Sequence, residues 1–171
     1  PQSGHAASEG ATPRKDDGLR RPVSRHPHMA TVHRKQLCVT LVLALAARLG
    51  FVLAYPQVPV VNDAAWYDQA AYRLASGQGE GATSFARGPI YPLFLASVYR
   101  LAGHDQTMVR VMQAMMSSLS VLLIYALGRA VFNAKVGVIA SFLAACYPPF
   151  IAYPGWLLTE TLSVFLLLAF V

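Results

Sequence analysis

The chain of 171 residues is 55% hydrophobic and 13% charged, with a formal charge of +6. That balance excludes an ordinary soluble domain and points to a membrane protein. Half of the fourteen basic residues, Arg14, Lys15, Arg20, Arg21, Arg25, Arg34 and Lys35, precede the first long apolar run. Basic residues there favour retention of the amino terminus in the cytoplasm and give no reason to expect a nucleic-acid partner.

Residues 1–28 are rich in Gly, Ser, Pro, His and Arg, too polar to offset the entropy of ordering them. We read residues 1–35 as a disordered basic cytoplasmic tail, with Met29 as a candidate translation start, and residues 36–171 as a transmembrane domain. Cys38 and Cys146 both lie in apolar runs, where a thiol acts as a small hydrophobe, and neither disulfide nor metal spacing is suggested.

Residues 37–55 carry one charge, Arg48, and at ~1.5 Å per residue they reach across a hydrocarbon core. They are the first expected span. A secretory signal cleaved after Ala44-Leu45-Ala46 is the rival, disfavoured because the apolar run continues to Tyr55 and further spans follow. Arg48 is expected to snorkel toward the interface.

Pro56 and Pro59 end that helix, opening an external loop over residues 56–107. Within it Asn62 is an expected N-cap, Asp63 a first-turn acid and Gly77 a stop, with Tyr67, Ala70, Ala71 and Leu74 at helical spacing. Asp63 and Tyr67, at i and i+4, share a face, whereas Asp63 and Asp68 diverge by about 140°. Asp68 and Arg73 are expected to be solvated and His104 to be a loop residue without partners. Residues 78–86 read as a flexible loop. Residues 92–102 read as a second short helix, too short to span, lying on the surface or re-entrant.

Two more spans are expected over residues 111–128 and 136–159, joined by a basic turn, with Pro148, Pro149 and Pro154 interrupting the second of them. Arg110 and Gln113 stand at the outer end of the first, where a headgroup anchor is the default. Glu160 then opens a fourth apolar stretch that runs to Val171, as in an amino-terminal fragment. The expected fold is therefore all-α: a polytopic membrane protein of about four transmembrane helices, the last truncated, with short surface helices in the first external loop. With the amino terminus inside, Asp63 and Glu160 fall on the same outer side. An acid at the mouth of an apolar helix is costly unless a cavity or partner receives it.

The succession of Asp63-x-x-x-Tyr67, Arg87-Gly88-Pro89-Ile90-Tyr91-Pro92, Gly128-Arg129 with Phe132, and Leu158-Thr159-Glu160-Thr161-Leu162 resembles the amino-terminal part of GT-C superfamily glycosyltransferases. The nearest likeness is to bacterial relatives of dolichyl-phosphate-mannose protein mannosyltransferases, glycosyltransferase family 39. The resemblance covers residues 37–171 and implies a plasma (inner) membrane enzyme. Such an enzyme moves a sugar, with inversion, from a polyprenyl-phosphate carrier to a lipid, protein or glycan acceptor on the outer face. By position it makes Asp63 the essential acid, Arg87 the phosphate contact and Glu160 the acid opening the fourth span. Tyr67 and Arg48 are further candidates for substrate or phosphate contact. Many relatives carry a second acid where Ala64 stands and a double proline where Gly88-Pro89 stands. The first departure weakens any case for a metal at this loop, although the resemblance leaves a divalent metal open. The rival class is a transporter or flippase-like protein, which would lack a surface helix over residues 62–77.

Overall fold

The computed structural model describes residues 27–56, 58–78 and 88–171, which form helices and turns without a strand. The long helix α1 (Pro27–Ala54) is followed by two short ones, α2 (Asp63–Ala75) and α3 (Ile90–Ala102). Then come α4 (Gln106–Val131), α5 (Ala134–Cys146), α6 (Pro148–Ala152), a 3-10 turn (Tyr153–Gly155) and α7 (Glu160–Phe170). Two helices, over His33–Ala54 and Gln106–Val131, are long and apolar enough to cross a membrane, and α5 with the segment Pro148–Gly155 is a candidate third span, a pair bent by 62°. α7 is a shorter apolar helix beginning at the expected Glu160. The fold is thus all-α, with the expected surface helices in place.

The first helix starts earlier than the expected span. α1 begins at Pro27, so residues 27–35, expected to belong to a disordered tail, are helical. Proline is tolerated at the first helical position, and the Met, Ala, Arg, Lys and Gln residues that follow favour propagation from the span. The rest of that expected tail, and residues 79–86 of the loop expected over 78–86, lie outside the described residues.

Local chemistry sets the other boundaries. Asp105 caps α4 by accepting from the amides of Thr107 (2.8 Å) and Met108 (3.4 Å), and Asn133 caps α5 by accepting from the Val136 amide (3.0 Å). Gly77 and Gly103, at φ 70° and 79°, end α2 and α3 in a conformation other residues resist. At the α4–α5 turn the backbones nearly touch: a Cβ on Gly128 would lie 2.9 Å from the Gly137 Cα, and one on Gly137 would lie 2.7 Å from the Tyr125 carbonyl oxygen. The same close-packed logic joins α1, α4 and α5 through Ala44, Val121 and Ala145.

The bend of the third span has a definite cause. In a continuous helix the amides of residues 148 and 149 would donate to the carbonyls of Ala144 and Ala145. Both residues are proline, which has no N–H. Arg48 supplies the missing donors from α1: NH2 donates to the Ala144 carbonyl (3.3 Å) and NH1 to the Ala145 carbonyl (3.4 Å). NH1 also donates to its own helix at the Ala44 carbonyl (2.9 Å), and Nε donates to Ser117 Oγ on α4 (2.8 Å). Ser117 passes the connection on, donating to the Phe150 carbonyl at 3.0 Å. Arg48 is 0% exposed, so it does not snorkel. Its charge is spread over neutral oxygens of three helices.

This predicts an outcome for a triple substitution. Arg48→Met orphans two buried carbonyls, each worth roughly 1–3 kcal/mol, and should lower the melting temperature of the detergent-solubilised protein. Adding Pro148→Ala and Pro149→Ala restores two amide donors and should recover part of that loss. No recovery would mean that Arg48 is not compensating for the prolines.

Candidate functional site

The end of the helices where α1 stops and α4 starts carries the helices that bear Asp63, Tyr67 and Glu160. Arg110, near the start of α4, is 2% exposed and donates through NH1 to the Pro56 carbonyl and through NH2 to the Val58 carbonyl (2.8 Å). It ties the segment after α1 to α4 and does not face headgroups as expected. At the same end, a Cβ on Gly155 would come within 2.9 Å of the Phe51 ring, which places the turn before Glu160 against the last turns of α1.

α2 and α3 pack on each other across this end. Ala64, Tyr67 and Ala71 of α2 meet Tyr91, Leu95 and Tyr99 of α3, and the cluster extends to Val109, Leu157 and Leu162. One apolar core therefore joins the helix bearing Asp63 to the helix opened by Glu160. At its centre the rings of Tyr67 and Tyr91 meet edge to face, with centroids 5.0 Å apart at 83°. Asn62 occupies the N-cap position of α2 but makes no side-chain cap bond, its φ of 53° turning it into a left-handed conformation.

Polar contacts fix the same parts. The Tyr91 hydroxyl donates to Gln113 Oε1 (2.8 Å), and Gln113 Nε2 donates to the carbonyls of Pro154 (3.0 Å) and Trp156 (2.8 Å). Asp68 accepts from the Tyr99 hydroxyl and lies 3.0 Å from His104 Nε2, and the His104 ring lies against both Tyr72 and Tyr99. Asp68 and His104 therefore latch α2 to the end of α3, where the sequence suggested a solvated acid and a loop residue without partners. Burial, more than the nearby Tyr99, Glu160, Tyr67 and Asp68, pushes the Tyr91 hydroxyl well above the ordinary tyrosine pKa. Burial and then the bond to Asp68 push Tyr99 the same way.

The candidate residues are distributed as follows. Asp63 is the exposed first residue of α2, and Tyr67, one turn on, is buried against Tyr91. Glu160 is exposed at the start of α7 and lines a narrow cleft with Ser117, Ser120, Tyr153 and Thr161, a cleft that Asp63 does not line. Arg87 lies outside the described residues, immediately before Gly88. Arg48 is enclosed between α1, α4 and α5 and is not brought to the others. Among the described residues no three His, Cys, Asp or Glu side chains gather as a metal would need.

The model of the family described as dolichyl-phosphate-mannose-protein mannosyltransferase matches residues 86–171, half of the chain. The chain belongs to this family. It is a GT-C glycosyltransferase chain and a multi-pass membrane protein, of a family that draws sugar from lipid-linked donors. No curated protein and no solved structure matches. The matched segment begins one residue before Arg87 and includes Gln113 and Glu160, while Asp63 and Tyr67 precede it. The transporter reading expected no surface helix over residues 62–77, and α2 stands there.

The raised tyrosines give a pH prediction for this mannosyltransferase-family chain. A phenol pKa above its unfolded value contributes stability that is complete below about pH 10 and is lost as the pH rises beyond it. The α2–α3 pair should therefore loosen in alkali. Trp66, whose ring lies 5.2 Å from that of Tyr67, reports this by its emission in a Trp156→Phe background. Tyr99→Phe should weaken the alkaline transition, and an emission unchanged from pH 8 to 11 would refute it.

Proposed function

We propose that the protein transfers a sugar, with inversion at the anomeric carbon, from a polyprenyl-phosphate carrier to a hydroxyl or phosphate acceptor on the outer face of the plasma membrane. The acceptor is a lipid, protein or glycan, and the amino terminus lies in the cytoplasm. Family membership over residues 86–171 supports the reaction class. The observation that carries the site assignment is the shared core of Tyr67, Tyr91, Leu157 and Leu162, which brings the Asp63 helix and the Glu160 helix to one end of the bundle.

Asp63 takes the acceptor proton as the acceptor oxygen bonds to C1, and the C1–O bond to the carrier breaks with its electron pair leaving on the phosphate. The products are the glycosylated acceptor and polyprenyl phosphate. Such a leaving group needs charge stabilisation more than protonation, the role assigned to Arg87, whose planar guanidinium grips phosphate at two points. Tyr67, buried against Tyr91, supports the Asp63 helix, and Glu160 lines a neighbouring cleft at the same end of the bundle. Arg48, engaged in the bend of the third span, acts at a distance by holding that bend.

Asp63→Asn in the full-length protein should abolish transfer from a labelled polyprenyl-phosphate sugar while leaving membrane insertion intact. Normal turnover in that variant would remove Asp63 from the mechanism.

A further inference from the structure

Gln113 lies within the second span, is 0% exposed, and makes three hydrogen bonds to two different parts of the candidate site. Tyr91, in the first turn of α3, stands four residues after Arg87, and Trp156 stands four residues before Glu160. The polarity of the network is forced. Pro154 and Trp156 offer carbonyls, which only accept, so the amide nitrogen faces them and its oxygen faces the Tyr91 hydroxyl, which must donate. No carboxylate, hydroxyl or hydrocarbon side chain of similar size donates twice and accepts once in this arrangement.

From this we infer that Gln113 is the positioning residue of the transfer site. It holds the start of α3 and the turn before Glu160 at a fixed separation around its side-chain amide. The inference rests on the proposed transfer reaction for its catalytic consequence, but the brace itself is a matter of geometry. Removing the amide leaves the Tyr91 hydroxyl and two carbonyls without this partner in a buried place. A misplacement of about 1 Å between reacting groups costs on the order of a hundredfold in rate.

The test uses the full-length protein in membranes, with a labelled polyprenyl-phosphate sugar for turnover. A second readout is the distance between spin labels on cysteines placed at the exposed Ser97 and Ser163, with Cys38 and Cys146 replaced by serine. Gln113→Leu should lower kcat roughly tenfold to a hundredfold and broaden the spin-label distance distribution. Tyr91→Phe, a milder change, should lower kcat less, and the double variant should be no slower than Gln113→Leu alone, because both cut one network.

Gln113→Glu keeps the acceptor for Tyr91 but loses the donors while ionised. Its activity should therefore rise toward wild type as pH falls and the carboxyl regains a proton to donate, a recovery that Gln113→Leu cannot show. Wild-type kcat with an unbroadened distance distribution in Gln113→Leu would overturn the inference, as would independent, multiplying losses in the double variant. If the wild-type protein transfers no sugar, the proposed function fails by itself, and the spin-label distances still decide whether Gln113 is the brace.

Discussion

The architecture depends on a substitution of hydrogen-bond donors. Two adjacent prolines strip the bent third span of two amides and leave the Ala144 and Ala145 carbonyls without their helical partners. An arginine from another helix fills the gap. Through its bonds to Ala144 and Ala145, to Ser117 and to its own helix, Arg48 converts a break into a fixed bend. That bend directs the chain into the turn Tyr153–Gly155 and from there into α7, so the position of Glu160 follows from it.

Near the start of α4 the same device is repeated with Gln113 and Arg110 as donors. Gln113 and Arg110 donate to backbone carbonyls in the turn before α7 and in the segment after α1, and an aromatic core closes the space between the short helices. Segments that lack regular structure must place their carbonyls somewhere, and here buried side chains of α4 receive them. The exposed acids Asp63 and Glu160 are thereby carried on helices whose own positions are set by groups without catalytic chemistry. Under the proposed reaction this separates the groups that hold the helices from the one assigned to react, Asp63.

Membership in the mannosyltransferase family and the presence of α2 both favour transfer over transport. Asp63 precedes the matched segment, so the case for it is built from its place at the head of a helix tied by Tyr67 to Tyr91. The Asp68 and His104 latch adds a reason for α2 to keep its orientation on α3.

Hydrophobic runs, prolines, glycines and cap residues were enough to locate the spans, the two short helices and the family resemblance, because these properties act within a few residues of where they are written. Asp63 and Glu160 were legible for the same reason: a charge beside an apolar run is conspicuous. The roles of Arg48, Arg110, Asp68, His104 and Gln113 were not, because each is defined by a partner 31 to 97 residues away in sequence. A lone arginine in a span reads as a snorkelling anchor until the carbonyls it serves are seen, although the proline pair hinted that donors would be needed. Only the packing of one helix against another decides whether a polar side chain meets lipid, water or an orphaned backbone group.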